Sequence, residues 1–66
     1  MSIASNLRRL RADLGASQED IANVANVRLH EYKRYEAGMV EASEEALLGL
    51  STALHTTIEV LVGHTR

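Results

Sequence analysis

The chain has 66 residues, a formal net charge of −2, and no Cys, Pro, Phe or Trp. That length accommodates one small domain, expected over residues 1–66, which buries only about 60% of the surface its unfolded form exposes. Without Cys neither a disulfide nor a thiolate metal site can staple it, and the acidic balance argues against a non-specific coat on a polyanion while leaving room for a site-specific binder with segregated charges.

The core must come from Leu, Ile, Val, Ala and two Tyr, a set that helix–helix packing uses well. Such a domain alone is expected to be only modestly stable, and dimer formation would add to it by mass action. The opening MSIASNLRRLR places its charges after a weak apolar stretch, the reverse of a signal peptide. No apolar run approaches the roughly 18 residues of a spanning helix. A cytoplasmic location with no membrane contact is therefore expected.

In chain order every segment reads as helix. Ile3, Leu7, Leu10 and Leu14 recur at steps of four, three and four, the stripe of a first amphipathic helix, and Gly15 ends it. A second helix runs from about Ser17 to Ala25: Ser17 with Asp20 three residues on is close to a capping box, and Ile21, Ala22 and Ala25 give a small apolar stripe. Asn26 suits the left-handed conformation that terminates a helix. Val27 plugs the turn, and Arg28 to Ala37 form a third helix stopped by Gly38. Ser43 is the expected cap of a fourth helix, with Glu44 and Glu45 where the dipole favours acids. Leu47, Leu50 and Leu54 form its stripe, with Leu48 beside it. Thr56 or Thr57 caps a last short helix, Thr56 with Glu59 having the capping-box spacing, and Ile58 and Leu61 turn inward. The expected fold is all-α, a bundle of five short helices without repeats, linkers or strands.

Helices two and three, joined by a tight turn at Asn26, have the layout of a helix-turn-helix, whose second helix can lie in the DNA major groove. At about 100° per residue, Tyr32 and Tyr35 point to one side with Arg28 between them. His30, Lys33, Arg34 and Ala37 occupy the opposite side, with Leu29 on its flank and Glu31 at its rim. Most other acids (Glu19, Asp20, Glu41, Glu44, Glu45, Glu59) fall elsewhere, so the outward face is basic although the chain is acidic. Arg, Lys and His can donate to guanine O6 and N7, Leu can pack on a thymine methyl, and Glu can accept from a cytosine amine.

From Ile3 to Val62 the sequence resembles the Cro/phage-repressor (XRE-like) helix-turn-helix proteins. Leu7, Leu10 and Arg11, Gly15, Ser17-Gln18-Glu19, Ile21-Ala22, Val27, Tyr32, Tyr35-Glu36, Gly38, Leu47, Leu50, Leu54, Ile58 and Leu61 carry the resemblance. It implies a lambda-repressor-like bundle of five helices that regulates transcription as a dimer on double-stranded DNA. It implies DNA-facing roles for Arg28, Leu29, His30, Lys33 and Arg34. Gln18 would touch phosphate or support the recognition helix, and Arg11 with Glu36 would form an internal ion pair. The chain departs from the family at three turns. Asn26 replaces a usual Gly, Arg28 a usual Ser or Thr cap, and His55 a frequent Gly. The loop Met39–Ala42 lacks the Lys, Arg and Pro common there, so a shallow salt dependence is expected.

A monomer of this size covers a few base pairs; a twofold dimer would place two recognition helices about 34 Å apart on a near-palindrome. Leu48, Val60 and Val62 are the candidate homodimer interface, and Met39 with Val40 is a second apolar spot. The reading is a sequence-specific regulator: a phage repressor or Cro-like switch, a restriction–modification controller, or an antitoxin repressing its own operon. RNA polymerase is a candidate partner for the acidic stretch Glu41 to Glu45. Catalysis is not expected, because Ser17, Ser43 and Ser51 have no accompanying base. His30, His55 and His64 lack metal-ligand spacing, so neither a metal nor a cofactor is expected. The rival reading is a protein-interaction module on the same fold that has lost DNA binding.

Overall fold

The computed structural model describes residues 3–63; His64 lies outside them. Five helices follow one another: α1 (Ile3–Leu14), α2 (Gln18–Ala25), α3 (Leu29–Ala37), α4 (Glu44–Ala53) and α5 (Ile58–Val62). None is long and apolar enough to cross a membrane.

The boundaries follow from side chains that satisfy the orphan groups at helix ends. Ser17 Oγ accepts the Asp20 N–H at 3.0 Å, and the Ser17 N–H donates back to Asp20 Oδ2 at 3.2 Å, a reciprocal box at the start of α2. Asn26 sits at φ 61°, ψ 41°, and lets the Val27 N–H reach Ala22 O at 3.0 Å. Ser43 Oγ accepts from Ala46 N–H at 3.1 Å to open α4. Of the two threonines that could cap α5, it is Thr57, not Thr56, whose hydroxyl oxygen accepts from Val60 N–H, at 3.2 Å.

Arg28 corrects the sequence reading. Its φ of −72° and ψ of 146° are extended, so it precedes α3 and caps it without a side-chain hydrogen bond. A helical phase therefore does not apply to it; it is exposed rather than lodged between Tyr32 and Tyr35.

The core joins Leu7 of α1, Ile21, Ala22 and Ala25 of α2, Tyr32 and Tyr35 of α3, Ala46, Leu50 and Ala53 of α4, Leu54, and Leu61 of α5. Leu14 is 46% exposed, unlike the rest of its stripe. It shares the angular face of Leu7 but is the last residue of α1, where the chain turns away at Gly15. Asn6, invisible to the apolar pattern, is 1% exposed. Its Nδ2 donates to Leu61 O at 2.8 Å and lies 3.4 Å from Val60 O, while its Oδ1 accepts from Arg9 at 3.5 Å. It thereby satisfies carbonyls of the α5 end and ties the last helix to α1.

Candidate nucleic-acid interface

α3 is held from behind by one carboxylate. Glu36 is 4% exposed and collects four donors from three elements. Arg11 approaches as a fork, Nε to Oε2 at 2.6 Å and Nη2 to Oε1 at 3.1 Å. The Tyr32 hydroxyl donates to Oε2 at 2.5 Å and Gln18 Nε2 donates to Oε1 at 3.0 Å. Arg11 Nη1 reaches on to Ala16 O at 3.1 Å, and Arg8 donates to the backbone carbonyl of Glu36. No buried side-chain nitrogen or oxygen among the described residues lacks a partner.

These contacts set the charge states. Burial pushes the Glu36 carboxyl up, but hydrogen bonds from Arg11, Tyr32 and Gln18 outweigh it and hold the acid below its ordinary value. The hydrogen bond to Glu36 raises Arg11 in turn, against its own desolvation. Burial, then the bond to Glu36, moves the Tyr32 phenol strongly upward, so it remains a donor. A paired, fully hydrogen-bonded buried charge resists rotation of α3, because any roll would strand the carboxylate. Gln18 supports the third helix in this way, with its side chain half-buried.

With that side fixed, His30, Lys33, Arg34 and Ala37 are exposed, spread over an arc of about 100°. Arg28 is exposed at the turn. Leu29 is half-buried and packs on the core, so only part of its surface is open outward. Glu31, also exposed, accepts the Tyr35 hydroxyl at 3.1 Å on Oε2. Sequence reasoning missed both Tyr–Glu bonds, although Tyr32 with Glu36 and Glu31 with Tyr35 stand at the four-residue spacing that brings helix side chains together.

Grooves lie elsewhere on the surface. One of about 400 Å³ lies between the α2–α3 turn and the start of α4, bordered by Asn26, Arg28, Glu31, Tyr35, Ser43 and Glu45. The other, about 480 Å³, is mainly apolar and lined by Ile3, Met39, Val40, Leu47 and Val62 among others. Met39 is 71% and Leu48 57% exposed, while Val60 and Val62 are half-buried. No three His, Asp or Glu among the described residues are grouped to hold a metal ion.

Two short helices at a tight left-handed turn, the second anchored behind and cationic in front, define a helix-turn-helix unit. The family model described as "Helix-turn-helix domain" matches residues 2–62. The chain belongs to this family, the DNA-binding class of the Cro and phage repressors. It is similar in structure to the restriction-modification controller protein C.AhdI from Aeromonas hydrophila, at a TM-score of 0.86 and 30% identity, over 89% of each chain. It is also similar to a transcriptional regulator from Listeria innocua, at a TM-score of 0.83 and 32% identity, over 98% of this chain and 61% of that one. No curated protein sequence matches.

Proposed function

We propose that the protein is a sequence-specific regulator of transcription that binds duplex DNA as a homodimer, with α3 in the major groove of each half-site. The observation that carries this is the exposed arc His30–Lys33–Arg34, with its two cationic side chains Lys33 and Arg34, on a helix whose opposite side is pinned through Glu36. His30, Lys33, Arg34 and the outer part of Leu29 read base edges; Arg28 at the turn and Gln18 at the start of α2 flank the phosphates. Arg11 stays structural.

Leu48, Val60 and Val62 form the homodimer contact in this reading, and the twofold axis makes the operator a near-palindrome. The exposed acids Glu41, Glu44 and Glu45 are set to meet RNA polymerase or another basic partner rather than phosphate. Similarity to a restriction-modification controller favours that role among the three contexts the sequence suggests. The whole chain, as one domain, performs this role in the cytoplasm by binding and not by catalysis.

The test is binding to the DNA upstream of its own gene by the wild type and by the Lys33→Ala, Arg34→Ala double variant, with the oligomeric state measured alongside. Collapse of binding with an intact dimer supports the proposal; undiminished binding of the double variant contradicts it.

A further inference from the structure

Tyr35 is 4% exposed, its ring held in the core, yet its hydroxyl reaches one turn back along α3 to donate to Glu31 Oε2 at 3.1 Å. Burial, then this bond, pushes the phenol upward, so the hydroxyl stays protonated and donating at neutral pH. Glu31 itself is exposed. Arg34 stands three residues on along α3, at a spacing suited to ion pairing, and Arg28 is exposed just before the helix. Among the described residues, however, the one ion pair is Arg11 with Glu36, and the recorded partner of Glu31 is the tyrosine. One carboxylate oxygen is thus fixed by a group that cannot wander, and the other is left to accept from outside. The side-chain freedom that a surface Glu would lose on meeting a ligand is already reduced.

We infer that Glu31 is a base-discriminating acceptor at the rim of the DNA face and that the Tyr35 hydroxyl is the positioning group that aims it. The inference rests on the DNA reading above. A carboxylate accepts from the N4 amino group of cytosine and is repelled by guanine O6 and N7 and by thymine O4. Its contribution is therefore choice among sequences rather than affinity, since near phosphate it only repels. The cationic residues of α3 supply attraction and Glu31 supplies rejection at one position of each half-site.

Selection of duplexes from a random pool by the wild type, Glu31→Gln and Tyr35→Phe tests this. Thermal melts accompany the selection, and Tyr35→Phe keeps the buried ring. The wild type is expected to prefer a C·G pair at one half-site position by about tenfold. Glu31→Gln moves that position toward A·T, and Tyr35→Phe relaxes it several-fold without altering the others. A merely structural tyrosine would weaken all positions alike. Wild-type preferences in both variants, or a uniform rise or fall in affinity for every sequence, overturn the inference. If the wild type selects a site that the Lys33→Ala, Arg34→Ala variant loses while Glu31 variants keep it, only the inference falls. If the wild type selects nothing, the DNA reading falls with it.

Discussion

A Cβ placed on Gly49 would come to 2.4 Å from the backbone carbonyl oxygen of Ala25 and 3.2 Å from its carbon. α4 therefore crosses the end of α2 with backbone against backbone, immediately before the Asn26 turn. Gly49→Ala should destabilise the fold by about 1–3 kcal/mol through overpacking, although Ala gains helix propensity over Gly by about 1 kcal/mol. Urea denaturation measures the balance. A Gly49→Ala protein as stable as the wild type would mean that the crossing can relax, and that the turn feeding α3 is softer than described.

The Glu36 cluster makes stability depend on acid. In the unfolded chain this carboxyl returns to its ordinary value near 4.5, and in the folded protein it lies lower. Its contribution is therefore fully present above about pH 4.5 and is lost as pH falls through the depressed folded value. Arg11→Ala, which leaves the carboxylate without its cation, should cost ~3 kcal/mol or more at pH 7. Denaturant midpoints at neutral and acidic pH check both statements. In Glu36→Gln the acid-dependent loss should shrink; an unchanged pH profile would remove Glu36 as its source.

His55 holds φ 57°, left-handed backbone, at the turn between α4 and α5, where the Thr56 N–H closes on Ser51 O at 2.9 Å. A Cβ is unfavourable there. His55→Gly should stabilise by about 0.5–1 kcal/mol, the strain relieved exceeding the added freedom of the unfolded chain. Asn26→Gly, at φ 61°, should gain less, because Asn tolerates this region. A thermal-melt comparison that reversed this order would refute the account of the two turns.

How far the sequence revealed these features depended on the kind of interaction. Caps depend on one side chain and its near neighbours, so Ser17 with Asp20, Asn26, Ser43 and Gly38 were readable in advance. The inward phase of Tyr32 and Tyr35 followed from helical spacing. Asn6 and Gly49 were missed for a shared reason. Each matters through a contact with a distant segment, and neither a polar nor a small residue leaves an apolar periodicity. Leu14 and Arg28 misled because a wheel assumes an uninterrupted helix, whereas both stand at helix boundaries. On the exposed face of α3, cationic residues could be placed by rotation alone. The hydroxyls of Tyr32 and Tyr35 could not, since hydrophobic patterning treats tyrosine as core and ignores its polar end.

The loop Met39–Ala42 carries no cation and α4 opens with Glu44 and Glu45. Few groups are then left to displace counterions from phosphate. Each neutralised phosphate contributes about −0.9 to the slope of log K against log salt. With Arg28 at phosphate and Lys33 and Arg34 turned to base edges, the slope should be no steeper than about −3 per protomer, the value reached only if all three cations met phosphate. Affinity measured across a salt series on one operator gives this value directly, and a slope more than twice as steep would require phosphate contacts that this surface does not offer.

The proposed function requires α3 to enter the DNA with its exposed side. The most direct measurement is an NMR titration of the isotope-labelled protein with its selected duplex, following backbone amides and the side chains of His30, Lys33 and Arg34. The predicted result is that the largest shifts and intermolecular contacts fall on Arg28 to Ala37, while Tyr32 and Glu36 keep their internal bonds. Large changes confined to the Met39–Glu45 stretch or to Leu48, Val60 and Val62, with the third helix silent, would contradict it.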